Sequence, residues 1–263
     1  MCGAGTLPAR MAAEARRQGW RVIAFAFGDA DGVGAHAHRV VPSRIAEMAP
    51  VVTTLAAEGV ADVVFSGKFW IGDLLRADAV DDVHAGMAAR AGALLDVNIV
   101  AAIEATLAGL GATLLDQRPF LGDWLAPAGC WTERRPTDEE WADVRRGFET
   151  ARLTADAGIG QTVIVRRGAV SAVEAIEGTT EAIRRGIALS GRGAVIVKAT
   201  ARAHDFRFDV PAIGVDTVAA AAAGGAAVIA LEADRVLVVE RETTVRRADA
   251  AGVALVSTHD GRP

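Results

Sequence analysis

This sequence predicts a two-domain α/β protein, and three observations predict it. Its 263 residues exceed the usual size of one domain, and a 51% hydrophobic composition supplies material for two cores. Through the first half, short apolar runs alternate with helix-periodic stretches, the pattern of a parallel, Rossmann-like sheet. Past Gly158 the pattern turns to a hairpin followed by further strands and helices, which predicts a second, mixed α/β domain. The expected division is an N-terminal Rossmann-like domain over 1–135, a linker helix over 136–157 and a C-terminal α/β domain over 158–263.

Each element has its own signal. The chain opens with Gly3-Ala4-Gly5-Thr6-Leu7-Pro8 and runs straight into a helix over 9–18, stopped by Gly19. A glycine turn of this kind ordinarily follows a strand. Either this loop is not a strand-to-helix turn or, as is expected here, the first strand of the sheet is missing and the true start lies upstream of Met1. A strand follows over 22–27, a helix over 45–58 stopped by Gly59, and a strand over 61–65 that ends in Ser66-Gly67-Lys68. Helices are expected over 84–95 and 98–110 and a strand over 112–115, while 119–135, with Gly122, Pro127 and Gly129, has the composition of a long loop bordering an active cleft.

In the second half, Thr137-Asp138-Glu139-Glu140 fits a capping box, because a threonine hydroxyl and a glutamate three residues on satisfy each other's open amides. The helix it opens repeats Trp141, Val144, Phe148 and Ala151 on one face. A hairpin is expected from 162–165 and 170–175 around Gly168, then a helix over 181–189 and a buried strand over 194–197. An alanine-rich helix over 217–223 ends at Gly224-Gly225, and strands follow over 227–231 and 235–239.

Composition excludes several classes. The formal charge of −5, with Lys68 and Lys198 as the only lysines, argues against a nucleic-acid surface. Cys2 and Cys130 have no metal-type spacing and suggest a reducing compartment. With no apolar run near the roughly 20 residues of a bilayer span and no signal-peptide pattern, a soluble cytoplasmic protein is expected, with peripheral contact to a membrane allowed. Oligomeric state is open, and a homodimer is compatible with the sequence.

The chemistry concentrates in a few places. Lys198, His204, Asp205, Arg207 and Asp209 lie between apolar runs and are closed by Pro211, a tool set for phosphate chemistry at the end of a buried strand. A solvated charged loop is the plain alternative. Gly3 and Gly5, leading into Thr6 and Leu7, bring backbone amides and a helix N-terminus to a phosphate, although Pro8 stands where a dinucleotide fingerprint has its third glycine. Glu174, Glu177, Gly178 and Thr179 sit at a strand-to-helix turn, where an ordinary N-cap by Thr179 or Thr180 is the simpler reading. Ser66-Gly67-Lys68 ends a strand, a place where the lysine can meet an anion, with a lone surface lysine as the plainer reading. His36 and His38 with Asp29 and Asp31 lack a convergent third ligand, so zinc is not expected, and Cys130 has no assignable base.

Taken together, Gly3-Ala4-Gly5-Thr6-Leu7-Pro8, Ile159-Gly160-Gln161, Val173-Glu174-Ala175-Ile176-Glu177-Gly178-Thr179 and Val197-Lys198 through Arg207-Phe208-Asp209-Val210-Pro211-Ala212-Ile213-Gly214 occur in fixed order. This resembles the UDP-2,3-diacylglucosamine pyrophosphatase family of lipid A biosynthesis, the type formerly known as a domain of unknown function, over essentially the whole chain. The resemblance implies a two-domain α/β enzyme with its site between the domains. It implies magnesium-dependent attack of water on the α-phosphorus of UDP-2,3-diacylglucosamine, giving UMP and 2,3-diacylglucosamine 1-phosphate. Asp209 takes the position of the essential aspartate and is the expected Mg²⁺ ligand. Lys198 and Arg207 are expected to hold phosphate oxygens. Gly3, Gly5, Thr6, Leu7, Ser66, Lys68, Gln161, Glu174, Glu177, Gly178 and Thr179 are expected to bind or order substrate. The chain departs from the family pattern at Thr180 and Gly158, where aspartates are usual, and at His204, where a glutamine is usual. A hydrolase of another nucleotide-diphospho compound, or a non-catalytic UDP-sugar or lipid-binding protein, are the alternatives.

Overall fold

The computed structural model describes residues 1–29, 32–69, 79–93 and 96–262. Asp31 and positions 94–95 of the expected third helix lie outside the described residues. The chain forms two compact units: Met1–Gly122 together with Asp205–Asp209, and Asp123–His204 together with Val210–Pro263.

The first unit contains α1 (Leu7–Arg17), β1 (Ile23–Ala26), β2 (Arg39–Pro42), α2 (Met48–Ala57), β3 (Asp62–Val63), α3 (Asp82–Ala91), α4 (Asp96–Ala108) and β4 (Thr113–Leu114). β1 and β2 pair in parallel, as do β3 and β4. Between these pairs runs the opening of the chain. Cys2 bridges in parallel to both Ala26 and Ser66, and Ala4 bridges Lys68. Met1–Ala4 thus runs between the two pairs through isolated bridges. β2 was not expected: its residues are mostly exposed and end at Pro42, so they lack the apolar run by which a buried strand is read. Phe25, Val51, Leu55, Val63, Val100, Leu107 and Leu114 form the buried core of this unit.

The second unit is built on a six-stranded sheet. Its strands are β5 (Gly129–Cys130), β6 (Thr162–Arg166), β7 (Ala169–Val173), β8 (Val195–Lys198), β10 (Val228–Glu232) and β12 (Ala254–Thr258), in the order β5-β12-β10-β8-β6-β7. A separate short parallel pair joins β9 (Ala212–Ile213) to β11 (Leu237–Val238). β8, β10 and β12 are parallel, whereas β6 and β5 run against their neighbours. The helices are α5 (Asp138–Asp156), α6 (Thr179–Ser190), α7 (Val215–Gly224) and α8 (Arg241–Ala250).

Side-chain alternation in the strands explains why helices cover both faces. Val163, Val165, Val195, Val197, Val228, Ala230 and Val256 meet Val144, Phe148 and Ala151 of α5 on one face. Ile164, Ile196, Ile229, Leu231 and Leu255 meet Ile183 and Ile187 of α6, Val218 and Ala221 of α7 and Ala248 of α8 on the other. Helix approach is close: a Cβ at Gly186 of α6 would lie 2.7 Å from Ile164 Cβ.

The capping box forms as its sequence predicts, with Thr137 and Glu140 bonded reciprocally at the start of α5. The expected linker helix is this α5, and it packs within the second unit. The hairpin β6–β7 turns through Arg167 and Gly168, both at positive φ, which suits the twist of a two-residue turn. The stretch 119–135 holds two 3-10 turns and β5.

Candidate active site

Two groups of residues gather chemistry, one in each unit. In the second unit they lie where β8 ends and β6 begins, since the antiparallel register pairs Lys198 with Thr162. Lys198 is 5% exposed. Its Nζ donates to Thr179 Oγ1 at 2.9 Å and to Thr162 Oγ1 at 3.2 Å. The Thr179 hydroxyl in turn donates to Glu174 Oε1 at 2.7 Å, and Glu174 Oε2 stands 3.6 Å from Nζ. Burial raises the cost of the Glu174 charge, but the Lys198 ammonium and the hydrogen bonds of Thr162, Thr179 and Gln161 outweigh it and hold the carboxyl below its ordinary value. Glu174 Oε2 is buried without a hydrogen-bond donor.

This arrangement revises the simple reading of Thr179. The N-cap of α6 is Gly178, at φ 81°, and it carries no side-chain cap. The Thr179 hydroxyl is turned to Lys198 and Glu174 instead. Glu177 stands apart from the cluster, accepting from the Ala175 amide at 3.1 Å and from Arg185 at 2.5 Å. Gln161 accepts from the Ala199 amide at 3.0 Å, which ties the turn before β6 to the residue after β8.

One strand further, Glu232 ends β10 much as Lys198 ends β8, and sequence reasoning missed it. Its Oε2 accepts from the Thr200 amide at 2.7 Å and the Thr200 hydroxyl at 2.8 Å, and its Oε1 accepts from Arg152 at 3.0 Å. The available signal was a charged residue closing an apolar run, the same one that marked Lys198. The C-terminal edge of β8 and β10 therefore carries a buried cation and a buried carboxylate, at the end of a sheet where α/β proteins place ligands.

In the first unit, Asp205–Asp209 is pinned by aromatics. Phe206 is buried under the Arg118 guanidinium, 4.5 Å from ring centre, and its carbonyl accepts from the Gln117 amide at 3.1 Å. Phe208 packs edge-on against Phe65 at 5.6 Å. Between these anchors, Arg207 is gripped by Asp205 through Nε to Oδ1 at 2.9 Å and Nη2 to Oδ2 at 2.7 Å, while its Nη1 meets Glu104. The hydrogen bonds to Asp205, with the charges of Asp205 and Glu104, raise the guanidinium pKa above its ordinary value. Asp209 is half-buried at the end of this segment.

The same unit brings together the glycine loops. Gly3 donates to the Ser66 carbonyl at 2.8 Å, Ala4 and Lys68 exchange backbone bonds at 3.0 and 2.9 Å, and Gly5 donates to Asp29 at 3.0 Å. The approach demands glycine at Gly67: its φ is +82°, and a Cβ would lie 2.8 Å from the Ala4 carbonyl oxygen and from Pro8 Cγ. Thr6 is the N-cap of α1 without a side-chain cap, and Leu7 is the first helical residue. Ser66 is buried, with a hydroxyl lacking a partner. Beside this loop, at the C-terminal ends of β1 and β2, is a cavity of about 380 Å³ lined by Phe27, Gly28, Ser43, Arg44 and Glu47 among others. That is a size suited to a small ligand.

Of the sequence-predicted residues, Lys198, Glu174, Thr179 and Gln161 thus come together in the second unit. Arg207, Asp209, Gly3, Gly5, Thr6, Leu7, Ser66 and Lys68 belong to the first. His38 is occupied structurally, its Nδ1 accepting from the Val22 amide at 3.1 Å. Among the described residues no three His, Cys, Asp or Glu side chains gather as a metal cage.

Comparison with known proteins follows the division of the chain. Residues 1–124 match the LpxI N-terminal domain and residues 127–256 match the LpxI C-terminal domain. A curated protein of Caulobacter vibrioides, named UDP-2,3-diacylglucosamine pyrophosphatase LpxI, is 38% identical over 141 residues, which is 51% of this chain and 50% of that protein. In that alignment the chain spans about half the length of the curated relative it matches.

Proposed function

Because this chain belongs to the LpxI family, with both family domains matched in order, we propose that it hydrolyses the pyrophosphate of UDP-2,3-diacylglucosamine to UMP and 2,3-diacylglucosamine 1-phosphate. The observation that carries the reading is this two-domain match together with the name of the 38% identical relative. Water attacks the α-phosphorus, one P–O bond forms, and the bond from that phosphorus to the bridging oxygen breaks, so the lipid leaves as its 1-phosphate.

The residues of each unit have distinct tasks in this reading. Asp209 orients the attacking water. Arg207, fixed by Asp205 and Glu104, presents its charge to phosphate oxygens. The amides around Gly3 and Gly5 and the start of α1 add further donors, and Lys68 a further cation. In the second unit Lys198 spends its hydrogen bonds on Thr179 and Thr162. Its task is therefore positioning: it keeps Glu174 ionised and fixes the start of α6. Glu174 Oε2, buried without a donor, is the acceptor available to a substrate hydroxyl or amide.

Mg²⁺ fits this donor set. Mg²⁺ commonly takes one or two carboxylates and fills its shell with water and substrate phosphate, so a three-residue cage is not required. Asp205 holds Arg207, and Asp209, at the position that the resemblance gives to the essential aspartate, is the carboxylate of this segment assigned to the ion. When bound, the ion supplies neutralisation of phosphate charge. A diacyl substrate resides at a bilayer surface, so a peripheral encounter with the inner membrane belongs to the proposal. Among the described residues no helix is long and apolar enough to cross a membrane.

The test is product analysis in ¹⁸O-labelled water with UDP-2,3-diacylglucosamine, alongside other UDP- and CDP-linked compounds. The proposal expects labelled UMP from the diacylglucosamine substrate ahead of the others. Label in the lipid phosphate, or preferential turnover of another nucleotide-diphospho compound, contradicts it.

A further inference from the structure

The loop that carries Arg207 and Asp209 is fastened at both ends to one short run of the chain, 232–239. At the leaving end, just after β8, Glu232 Oε2 accepts from the Thr200 amide at 2.7 Å and from the Thr200 hydroxyl at 2.8 Å. One carboxylate oxygen thereby fixes the backbone and the side chain of Thr200 together. Arg235 Nε donates to the same hydroxyl at 2.5 Å, and its Nη2 donates to the Ala201 carbonyl at 2.9 Å. The next amide, that of Arg202, is taken by Asp156 Oδ1 at 2.8 Å. At the returning end, the Leu237 amide donates to the Pro211 carbonyl at 2.8 Å and the Val239 amide to the Ile213 carbonyl at 2.9 Å, the ladder of β9 and β11.

Stability alone does not call for the leaving end to be built this way. Glu232 and Thr200 are buried, and Glu232 also has Arg152 on its Oε1 at 3.0 Å and Arg235 at 3.6 Å from its Oε2. Apolar residues in place of a buried ion pair are often as stable or more so, whereas a satisfied charged network fixes one arrangement of the groups it joins. The groups joined here are the first residues of the loop. Between the fastened ends, 202–210 holds turns but neither helix nor strand. Its path therefore depends on those ends and on the packing of Phe206 and Phe208.

We infer that Glu232, Thr200 and Arg235 are positioning residues for the proposed hydrolysis. They act through the backbone, setting where the loop leaves β8 and hence where Arg207 and Asp209 come to lie. The inference rests on the roles proposed above for those two residues. A network that serves only the stability of the sheet end is the competing account.

The test compares Thr200→Val, which keeps the shape and removes the hydroxyl, with Thr200→Ser, which restores it. Arg235→Lys keeps a cation at a partly exposed position but cannot make both bonds, and it guards against a Thr200→Val protein that fails to fold. Thr137→Ala, weakened at a capping box away from this network, is the control. Two readouts are taken well below the melting temperature: the kinetics of UMP release, and hydrogen exchange of the substrate-free protein at the amides of Arg207 and Phe208. Thr200→Val and Arg235→Lys are expected to lower kcat at least about tenfold with KM within about threefold of the parent. Exchange at the two amides should rise about tenfold in both variants, with Thr200→Ser and Thr137→Ala close to the parent in both readouts. Unchanged exchange in Thr200→Val and Arg235→Lys, no rescue by serine, or an equal rise in Thr137→Ala would overturn the positioning role. The two readings fail separately: a parent that releases no UMP contradicts the hydrolysis, whereas unchanged exchange in the variants contradicts the positioning whatever the activity.

Discussion

The segment around Lys198 and the segment around Arg207 hold similar charges and sit nine positions apart in sequence order, yet the fold treats them oppositely. Lys198 is enclosed, and its hydrogen bonds end on Thr162 and Thr179 inside the second unit. Arg207 is about one-third exposed, and Asp209 is half-buried, on a turn that aromatics clamp from beneath. The difference separates two kinds of charged residue: one whose removal damages the fold, and one whose removal damages only what the surface does.

The largest expected effect breaks that comparison at its buried end. Replacing Lys198 with methionine leaves Glu174 buried without its cation, and such uncompensated charges cost about 3–5 kcal/mol. Chemical denaturation of Lys198→Met should show a loss of that size, and the double variant Lys198→Met, Glu174→Gln should recover much of it. A Lys198→Met protein as stable as the parent removes the distinction drawn here. At the exposed end, Arg207→Ala should lower UMP release at least about tenfold. Its melting temperature should stay within about 2 °C of the parent, because its ion pairs lie at a solvated surface.

Acid dependence sharpens the picture of the buried cluster. The folded-state pKa of Glu174 is lowered, so its contribution to stability is present above the ordinary carboxylate pKa and is lost as pH falls through the folded value. Denaturation measured across the acid range should therefore flatten in Glu174→Gln relative to the parent below about pH 4.5. Thr179→Val removes the hydroxyl joining Lys198 to Glu174 and should cost about 1–2 kcal/mol, with denaturant midpoints as the readout. The smallest effect is at Thr137: its change to alanine removes one half of the capping box and should cost about 1 kcal/mol while UMP release stays unchanged.

These residues also mark how far sequence reading reached. Elements with a strong local signal were legible, as at the Thr137 capping box, the Arg167-Gly168 turn and the valine-rich β8. β2 and the last helix and strand, α8 and β12, escaped. β2 is short and exposed, and α8 is polar on most of its surface, with Thr244 and Ala248 as its buried residues. β12 is buried throughout but reads as one more short apolar run near the end of the chain. The candidate site was legible as residue types but not as contacts. Nothing local to Thr162 or Glu232 says that a strand crossing the sheet will bring one to Lys198 and the other to Thr200, since those pairings are set by register. The cost of burying each charge likewise depends on neighbours far away in sequence.

The most direct measurement is UMP release from UDP-2,3-diacylglucosamine with Mg²⁺ by the parent protein and by Asp209→Ala, with and without a chelator, each protein melted beforehand to confirm its fold. The account predicts magnesium-dependent release by the parent and a loss of at least about a hundredfold in the variant, with melting temperatures within about 2 °C. Binding of the substrate by the folded parent without any release of UMP would contradict it and make this chain a binding protein.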